Sequence, residues 1–350
     1  MKTPLRVAID AVADACRLCR SLQANLERLN HALKDDRSPV TVADFAVQAL
    51  IQLRLSMEED RPLIVGEESA KDLHQGKVGN VDADALRDAV VEAVRTWREG
   101  ITEDEVLSAV GACDYDPGDS SSEGYWTLDP IDGTKGFLRG QQYAIALARI
   151  ERGQVVLGVM GCPNLSIQHA HDVAKPDPLN CGTIYAATLG GGAWELRGDK
   201  PHELPNRIAA ARSGHGAIRV CESVEAAHSK QDETQRIIAH LNGGAAPASP
   251  LRLDSQCKYA VVARGQADAY LRIPTIRTDG SSYLEKIWDH AAGSLIATEA
   301  GAMVSDADGK PLDFSLGRTL KANRGIVCAA PHVHGQIIEA RRAVLLENAR

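Results

Sequence analysis

Asp129-Pro130-Ile131-Asp132-Gly133-Thr134 is the segment whose residue types and spacing point most directly to chemistry. Two carboxylates stand three positions apart where an apolar run ends. Proline sets one backbone angle and glycine allows close backbone approach, so both acids can be presented together. Hard cations such as Mg²⁺ take oxygen ligands, and a carboxylate-rich strand end suits one. The same dipeptides also occur in plain solvated turns, so this segment alone leaves both readings open. Three other acidic sites have a similar character. Gly66-Glu67-Glu68-Ser69 follows another short apolar run, where acids could instead serve a helix N-terminus. Asp289, in Trp288-Asp289-His290, stands where a helix opens and could be its cap. Asp44 could be an ordinary first-turn acid.

Elements must bring these positions together. Leu5, Ile9, Val12, Cys16, Cys19, Leu22, Leu26 and Leu29 recur at helical spacing over residues 5–33. Cys16 and Cys19 form a C-x-x-C inside that pattern with no second pair, which indicates packing rather than metal. A second helix is expected after Ser38-Pro39, with Thr41 as cap and Asp44 three positions on. Residues 62–66 read as a strand, 84–98 as a helix, and Thr102 with Glu105 as a capping box opening another. From Tyr125 the texture changes to strands, with hairpin signals at Glu151-Arg152-Gly153 and at Gly190 to Gly192. Beyond the polar stretch 197–207, strands near 218–223, 251–255 and 268–273 alternate with helices over 229–241, 256–264 and 288–300. That order predicts α/β construction, divided into a unit over 1–200 and a second over 201–350.

Composition bounds the function. The 350 residues are 44% apolar and 25% charged, ordinary for a globular chain. A formal charge of −8 argues against a nucleic-acid duplex as partner, which needs a basic face. A small phosphorylated ligand needs only local cations or bound metal. No run of about 18 apolar residues occurs, so no membrane span is expected. The start of the chain has neither a secretory nor a transit pattern, and the eight cysteines read as reduced thiols, together indicating a cytoplasmic protein. His169/His171 and His332/His334 resemble metal pairs in outline, but with no converging acid they read as surface.

The segments VTVADFAVQ, VGEES, LDPIDGTKGFLRG, LDSQCKY and EKIWDHAAG occur in this order. In that series the chain resembles the inositol-monophosphatase superfamily of Mg²⁺-dependent, Li⁺-sensitive phosphatases, from about Pro39 to Gly301. GTKGFLRG, GCPNL, LDSQCKY and YLRIP are similar to its 3′(2′),5′-bisphosphate nucleotidase branch. Residues 273–285 depart from the pattern, and 70–124 carry no motif.

The resemblance implies an α/β fold, mixed α+β in its order of elements: a layered αβαβα sandwich. It implies two or three Mg²⁺ ions held by Glu67, Asp129, Asp132, Asp289 and the Ile131 carbonyl, with Asp129 as the bridge. It implies that Asp44 and Thr134 form the water-activating pair, although Thr134 could also cap the next helix. Thr134, His228, Ser255, Lys258, Arg272 and Asp289 would contact substrate. Ser255 with Lys258 would form an anion site at a helix start, and Arg272 would add a second cation. Alone, Lys258 and Arg272 could equally be solvated surface charges. The implied reaction is hydrolysis of the 3′-phosphate of adenosine 3′,5′-bisphosphate to AMP and phosphate, by a monomer or homodimer. Use of the sulfated analogue or the 2′-isomer stays open. The alternatives are an inositol phosphate or polyphosphate phosphatase, and a catalytically silent metal-binding regulator.

Overall fold

The computed structural model describes residues 3–26, 38–75, 83–118, 124–211, 217–224, 231–241, 249–274 and 283–348. Helix α1 (Pro4–Ala24) opens under Thr3, whose hydroxyl accepts the Arg6 N–H at 3.4 Å. Pro4 in the first turn removes no helical hydrogen bond. The periodic stripe proposed for 5–33 ends as helix at Ala24, with Asn25 as its C-cap; residues 27–37 lie outside the described residues. Helix α2 (Ser38–Ser56) corrects the second expectation. Thr41 lies inside this helix rather than capping it. A proline in the first turn is compatible with starting the helix earlier, at Ser38. Asp44 therefore sits on a helix interior and is buried.

Strands β1 (Ile64–Gly66), β2 (Tyr125–Asp132), β3 (Ala144–Glu151), β4 (Gln154–Cys162), β5 (Thr183–Thr188), β6 (Gly192–Arg197) and β7 (Asn206–Arg207) form one sheet in that order. β1 runs parallel to β2, and the later neighbours are antiparallel. A second sheet contains β8 (Val220–Glu222), β9 (Leu251–Arg252), β10 (Ala269–Arg272), β11 (Met303–Ser305) and β12 (Ile326–Ala329), ordered β11-β12-β10-β8-β9. The remaining helices are α3 (Ala70–Gln75), α4 (Ala83–Arg95), α5 (Glu103–Gly111), α6 (Thr134–Leu138), α7 (Gln231–Leu241), α8 (Cys257–Ala263), α9 (Ala291–Glu299) and α10 (Pro331–Asn348). The capping box read at Thr102 is present: Glu105 N–H donates to Thr102 Oγ1 at 3.2 Å and Thr102 N–H to Glu105 Oε2 at 2.8 Å.

Period-2 alternation sorts the strands into layers. On β3, Ile145 and Leu147 enter a core with α1, α2, α4 and α5. Ala144, Ala146 and Ala148 face the other way, into a core with α8 and α9. The small side chains let α9 approach closely: a Cβ on Gly158 would stand 3.0 Å from the Ala292 carbonyl oxygen. α1 is equally close on the first face, where a Cβ on Gly161 would lie 2.3 Å from Cys16 Sγ. Cys16 and Cys19 are thus packing residues, and all eight cysteines are free and buried. The far side of the second sheet presents Leu271, Val327 and Ala329 to α7 and α10. The layers are therefore αβαβα, as expected. Truncating fully buried Leu147 to Ala would cost about 2–5 kcal/mol. The middle core draws on residues from both sides of position 200, so the division near that point stays our proposal. Among the described residues no helix is long and apolar enough to cross a membrane.

Candidate metal centre

Parallel pairing of β1 with β2 sets Gly66 opposite Leu128, so β1 ends where β2 runs on through Asp129 to Asp132. The Glu67 N–H donates to the Leu128 carbonyl at 3.2 Å, which places Glu67 beside Asp129. Two acids far apart in the chain thus meet because two strands run the same way. Gln48, fully buried one turn along α2 from Asp44, fastens the turn after β1. Its Nε2 donates to the Glu68 carbonyl at 2.7 Å, and its Oε1 accepts the Glu68 N–H at 3.1 Å. A Cβ on Gly66 would stand 2.5 Å from that Oε1, so glycine is required there.

At the end of β2, Asp129 pairs with Ala146 and Asp132 with Ala144. The one-residue mismatch is a bulge that takes Pro130 and Ile131 out of regular register. Gly133 follows in the left-handed region at φ 90° and is the N-cap of α6 without a side-chain bond. Thr134 is consequently the first residue of that helix and not its cap. Asp289 is not a cap either: the N-cap of α9 is His290, which makes no side-chain cap bond. Both side chains keep their chemistry for the cleft.

Gln256, which sequence reasoning passed over between Ser255 and Lys258, connects the remaining ligand positions. Its N–H donates to Asp132 Oδ2 at 2.6 Å. Its Nε2 donates to the Trp288 carbonyl at 2.9 Å, and its Oε1 accepts the Gly293 N–H at 3.1 Å. One residue, through its backbone N–H and its side-chain amide, thereby ties Asp132 to the turn carrying Asp289. An amide flanked by two motif residues gave no sequence signal of its own, because the bonds run to backbone.

The electrostatics follow from this crowding. Burial pushes Asp129 well above the usual carboxylate range, with Glu67, Asp132 and Asp289 adding repulsion. Burial and then Asp289 and Glu68 raise Glu67 to about 8, although its side chain keeps one side open to solvent. Burial raises Asp289 to about 6 against the opposing field of His290. Asp132 is raised by burial and held back by Lys258, the Gln256 N–H and Arg272. Asp44 is raised strongly by burial, then by Glu68 and Glu67. Asp129 Oδ1 is buried with no hydrogen-bond partner among the described residues. A buried orphan oxygen within a cluster of acids lacking enough counter-charge fits one kind of guest, a hard divalent cation.

Helix α2, which carries Asp44, packs against α6, which opens with Thr134. The substrate-side residues depart further from expectation. α8 has only seven residues and begins at Cys257, while Ser255 precedes it in the left-handed region at φ 68°. The helix-start donor expected near Ser255 is engaged, since the Gln256 N–H belongs to Asp132. Lys258 is not a solvated charge: it is 4% exposed. Its Nζ donates to the Leu253 carbonyl at 3.3 Å and lies 5.2 Å from the Tyr270 ring centroid. Arg272 Nε donates to Glu285 Oε1 at 2.9 Å, and its guanidinium lies 5.6 Å from the Tyr283 ring. Glu285 also meets His290 Nε2 at 3.1 Å, and His290 Nδ1 meets the Tyr259 hydroxyl at 3.0 Å. Burial raises Glu285, but His290 and Arg272 outweigh it, so the carboxyl is held below its ordinary range. One ligand atom each from Glu285, Asp289 and His290 lies within 4.8 Å of the others. Glu285 escaped the sequence reading because it ends the divergent 273–285 segment. His228 lies outside the described residues. Of the other histidines, His169 is exposed as expected but meets an acid, Glu195, at 2.9 Å, whereas His334 corrects the surface reading, being buried against Ser305 Oγ at 2.9 Å.

Fold and site together define a five-layer α/β sandwich with a crowd of carboxylates gathered beyond the end of β1. The chain belongs to the inositol monophosphatase family, whose sequence profile matches residues 2–346. That family is metal-dependent. The chain is 39% identical to a 3′(2′),5′-bisphosphate nucleotidase of Schizosaccharomyces pombe, over 89% of this chain and 86% of that protein. It is also 39% identical to a protein of the same name from Oryza sativa, over 98% of this chain and 94% of the other. Among solved structures it is similar in fold to Mycobacterium tuberculosis SuhB, with a TM-score of 0.57 at 21% identity, covering 97% and 96% of the two chains. CysQ from Bacteroides thetaiotaomicron, a bacterial member of the inositol monophosphatase family, gives a TM-score of 0.56 at 23% identity over 93% and 96%.

Proposed function

We propose that the chain is a Mg²⁺-dependent, Li⁺-sensitive phosphomonoesterase that removes the 3′-phosphate of adenosine 3′,5′-bisphosphate. Relatives of that activity by name, alike over nearly the whole chain, support the reaction. The observation that carries the substrate class is the pair of cations, Lys258 and Arg272, both acting on the Asp132 carboxyl. A phosphate gripped by metal leaves a second phosphate in need of its own positive charge. This acidic chain supplies that charge locally, beside the same carboxyl that would hold the metal.

Glu67, Asp129, Asp132, Asp289 and the Ile131 carbonyl would hold two or three Mg²⁺ ions. When bound, the ions would supply charge for the phosphoryl oxygens and lower the pKa of the attacking water. The chain's own residues do the rest. Thr134 accepts a proton from that water and passes its hydroxyl proton to Asp44, whose burial raises its affinity for a proton. The water oxygen bonds to phosphorus, the bond to the ribose 3′-oxygen breaks, and that oxygen leaves as the AMP hydroxyl after taking up a proton. Arg272, fixed through Nε by Glu285, would turn its guanidinium toward the other phosphate. Lys258 contributes its field from beneath, and Ser255 and His228 complete the nucleotide contacts. A cytoplasmic site of action goes with eight free, buried cysteines.

The test is phosphate release from adenosine 3′,5′-bisphosphate, adenosine 3′-monophosphate and inositol 1-phosphate, with Mg²⁺, with Mg²⁺ plus Li⁺, and with excess chelator. The bisphosphate should be fastest, Li⁺ should inhibit, and chelator should abolish turnover. Preference for inositol 1-phosphate would replace the nucleotide reading. No turnover of any substrate would favour a silent metal-binding regulator.

A further inference from the structure

Arg318 belongs to none of the motifs that mark the site, yet it touches both segments that carry Glu67 and Asp289. It lies in the connection between β11 and β12, within the second half of the chain. Its Nη2 donates to the Gly66 carbonyl at 2.6 Å and its Nη1 to the Tyr115 carbonyl at 3.1 Å. Gly66 is the residue before Glu67. Tyr115 belongs to the stretch that flanks β1 on its other edge, through Tyr115 N–H to the Ile64 carbonyl at 3.0 Å and Gly66 N–H to the Cys113 carbonyl at 2.8 Å. The guanidinium fork therefore closes over the end of β1. The same group lies 5.0 Å from the ring centroid of Trp288, the residue before Asp289. The Arg318 carbonyl in turn accepts the Ile287 N–H at 3.2 Å, and Leu320 N–H donates to the Glu285 carbonyl at 2.9 Å.

We propose that Arg318 is a positioning residue of the metal centre, holding the turns of Glu67 and Asp289 in fixed relation across it. The inference rests on the reading of this cleft as a divalent-cation site. The physical basis is specific to arginine. Two directed N–H bonds to carbonyls and a planar face on indole cannot be met together by any other side chain. The Gly66 carbonyl is bonded directly to the Glu67 nitrogen, and Trp288 precedes Asp289, so loss of the fork loosens ligand spacing rather than ligand identity. Gln48 fixes the Glu67 turn from the α2 side and Gln256 fixes the Asp289 turn from the α8 side, but neither links the two turns to each other. Arg318 does so directly.

The experiment is isothermal titration of Mg²⁺ into substrate-free protein, comparing wild type, Arg318→Ala, Arg318→Lys and the exposed control Arg324→Ala. Removing an outer partner of a metal site typically costs about 10–100-fold in affinity. Arg318→Ala should raise the Mg²⁺ dissociation constant by about that factor, and its turnover should recover as Mg²⁺ is raised. Arg318→Lys, which keeps the charge but loses the fork, should also weaken binding, and Arg324→Ala should not. Thermal melting in chelator reports folding separately. If Arg318→Ala does not fold, Arg318→Lys decides. Wild-type Mg²⁺ affinity in a folded Arg318 variant overturns the proposal. Absence of Mg²⁺ binding by the wild-type protein would instead overturn the reading of the cleft on which it rests.

Discussion

Glu67 and Asp129 stand side by side beyond the end of β1, joined through the Glu67 N–H and the Leu128 carbonyl at 3.2 Å. Glu67 raises the pKa of Asp129, while the hydrogen bond from Asp129 lowers that of Glu67 without offsetting burial and the other acids. The site is built to be unfavourable until it binds something positive. That property sets the first expectation.

Without divalent metal, stability should fall as pH rises from about 4.5 through about 8. The sign follows from proton binding. Folded Glu67 keeps its proton to about 8 and Asp289 to about 6. The unfolded carboxyls release theirs near about 4. Between those values the folded state binds more protons, so raising pH favours unfolding. Melting temperature measured between pH 5 and 8.5 in chelator should slope downward, and saturating Mg²⁺ should flatten it. A chelated profile that is level or rises with pH would contradict the crowding.

Asp129→Asn should separate stability from function. Asparagine keeps the shape but replaces a buried carboxyl that folding pushes toward its protonated form, and whose Oδ1 has no partner among the described residues. The variant should melt at a higher temperature than wild type in chelator. It should also lose turnover and lose at least about 100-fold in Mg²⁺ affinity, more than outer partners typically cost. Paired melts and titrations check this; a near-normal rate at ordinary Mg²⁺ would exclude Asp129 as the shared ligand.

Asp44→Asn should leave Mg²⁺ and substrate binding nearly intact and slow turnover by about 10²–10⁴-fold, the usual range for a general base. Asp44 is buried on α2, with burial as the first cause of its raised pKa. The split between kcat and KM is the readout. A change confined to KM would assign Asp44 to binding instead.

Arg272→Ala should lower kcat/KM for the 3′,5′-bisphosphate by about 10–100-fold, on about 1.5–3 kcal/mol for a charge-assisted bond. It should change kcat/KM for a 3′-monophosphate far less. Lys258→Met, which keeps the volume of a 4%-exposed side chain, should show the same preference more weakly. Equal losses on both substrates would place these cations in support of Asp132 rather than of a second phosphate.

Local chemistry was legible in the sequence wherever it depended on local order. Asp129, Asp132 and Gly133 announce a turn of carboxylates because a proline and a glycine dictate its shape. The Thr102 box and the alternation of β3 were readable for the same reason. The αβαβα order was an implication of resemblance, and the three cores bear it out. What only tertiary structure decided is which groups meet and which are already engaged. Lys258 looks like a surface charge in sequence and is buried, because α8 is sandwiched between two sheets. The helix start at Ser255 looks open to an anion, but its donor is taken by Asp132, a residue far earlier in the chain. Gln48, Gln256 and Arg318 left no pattern, because side chains that bond to backbone carbonyls and amides recognise a position in space and not a partner residue type. Such contacts have no period and no spacing, so only the folded chain reveals them.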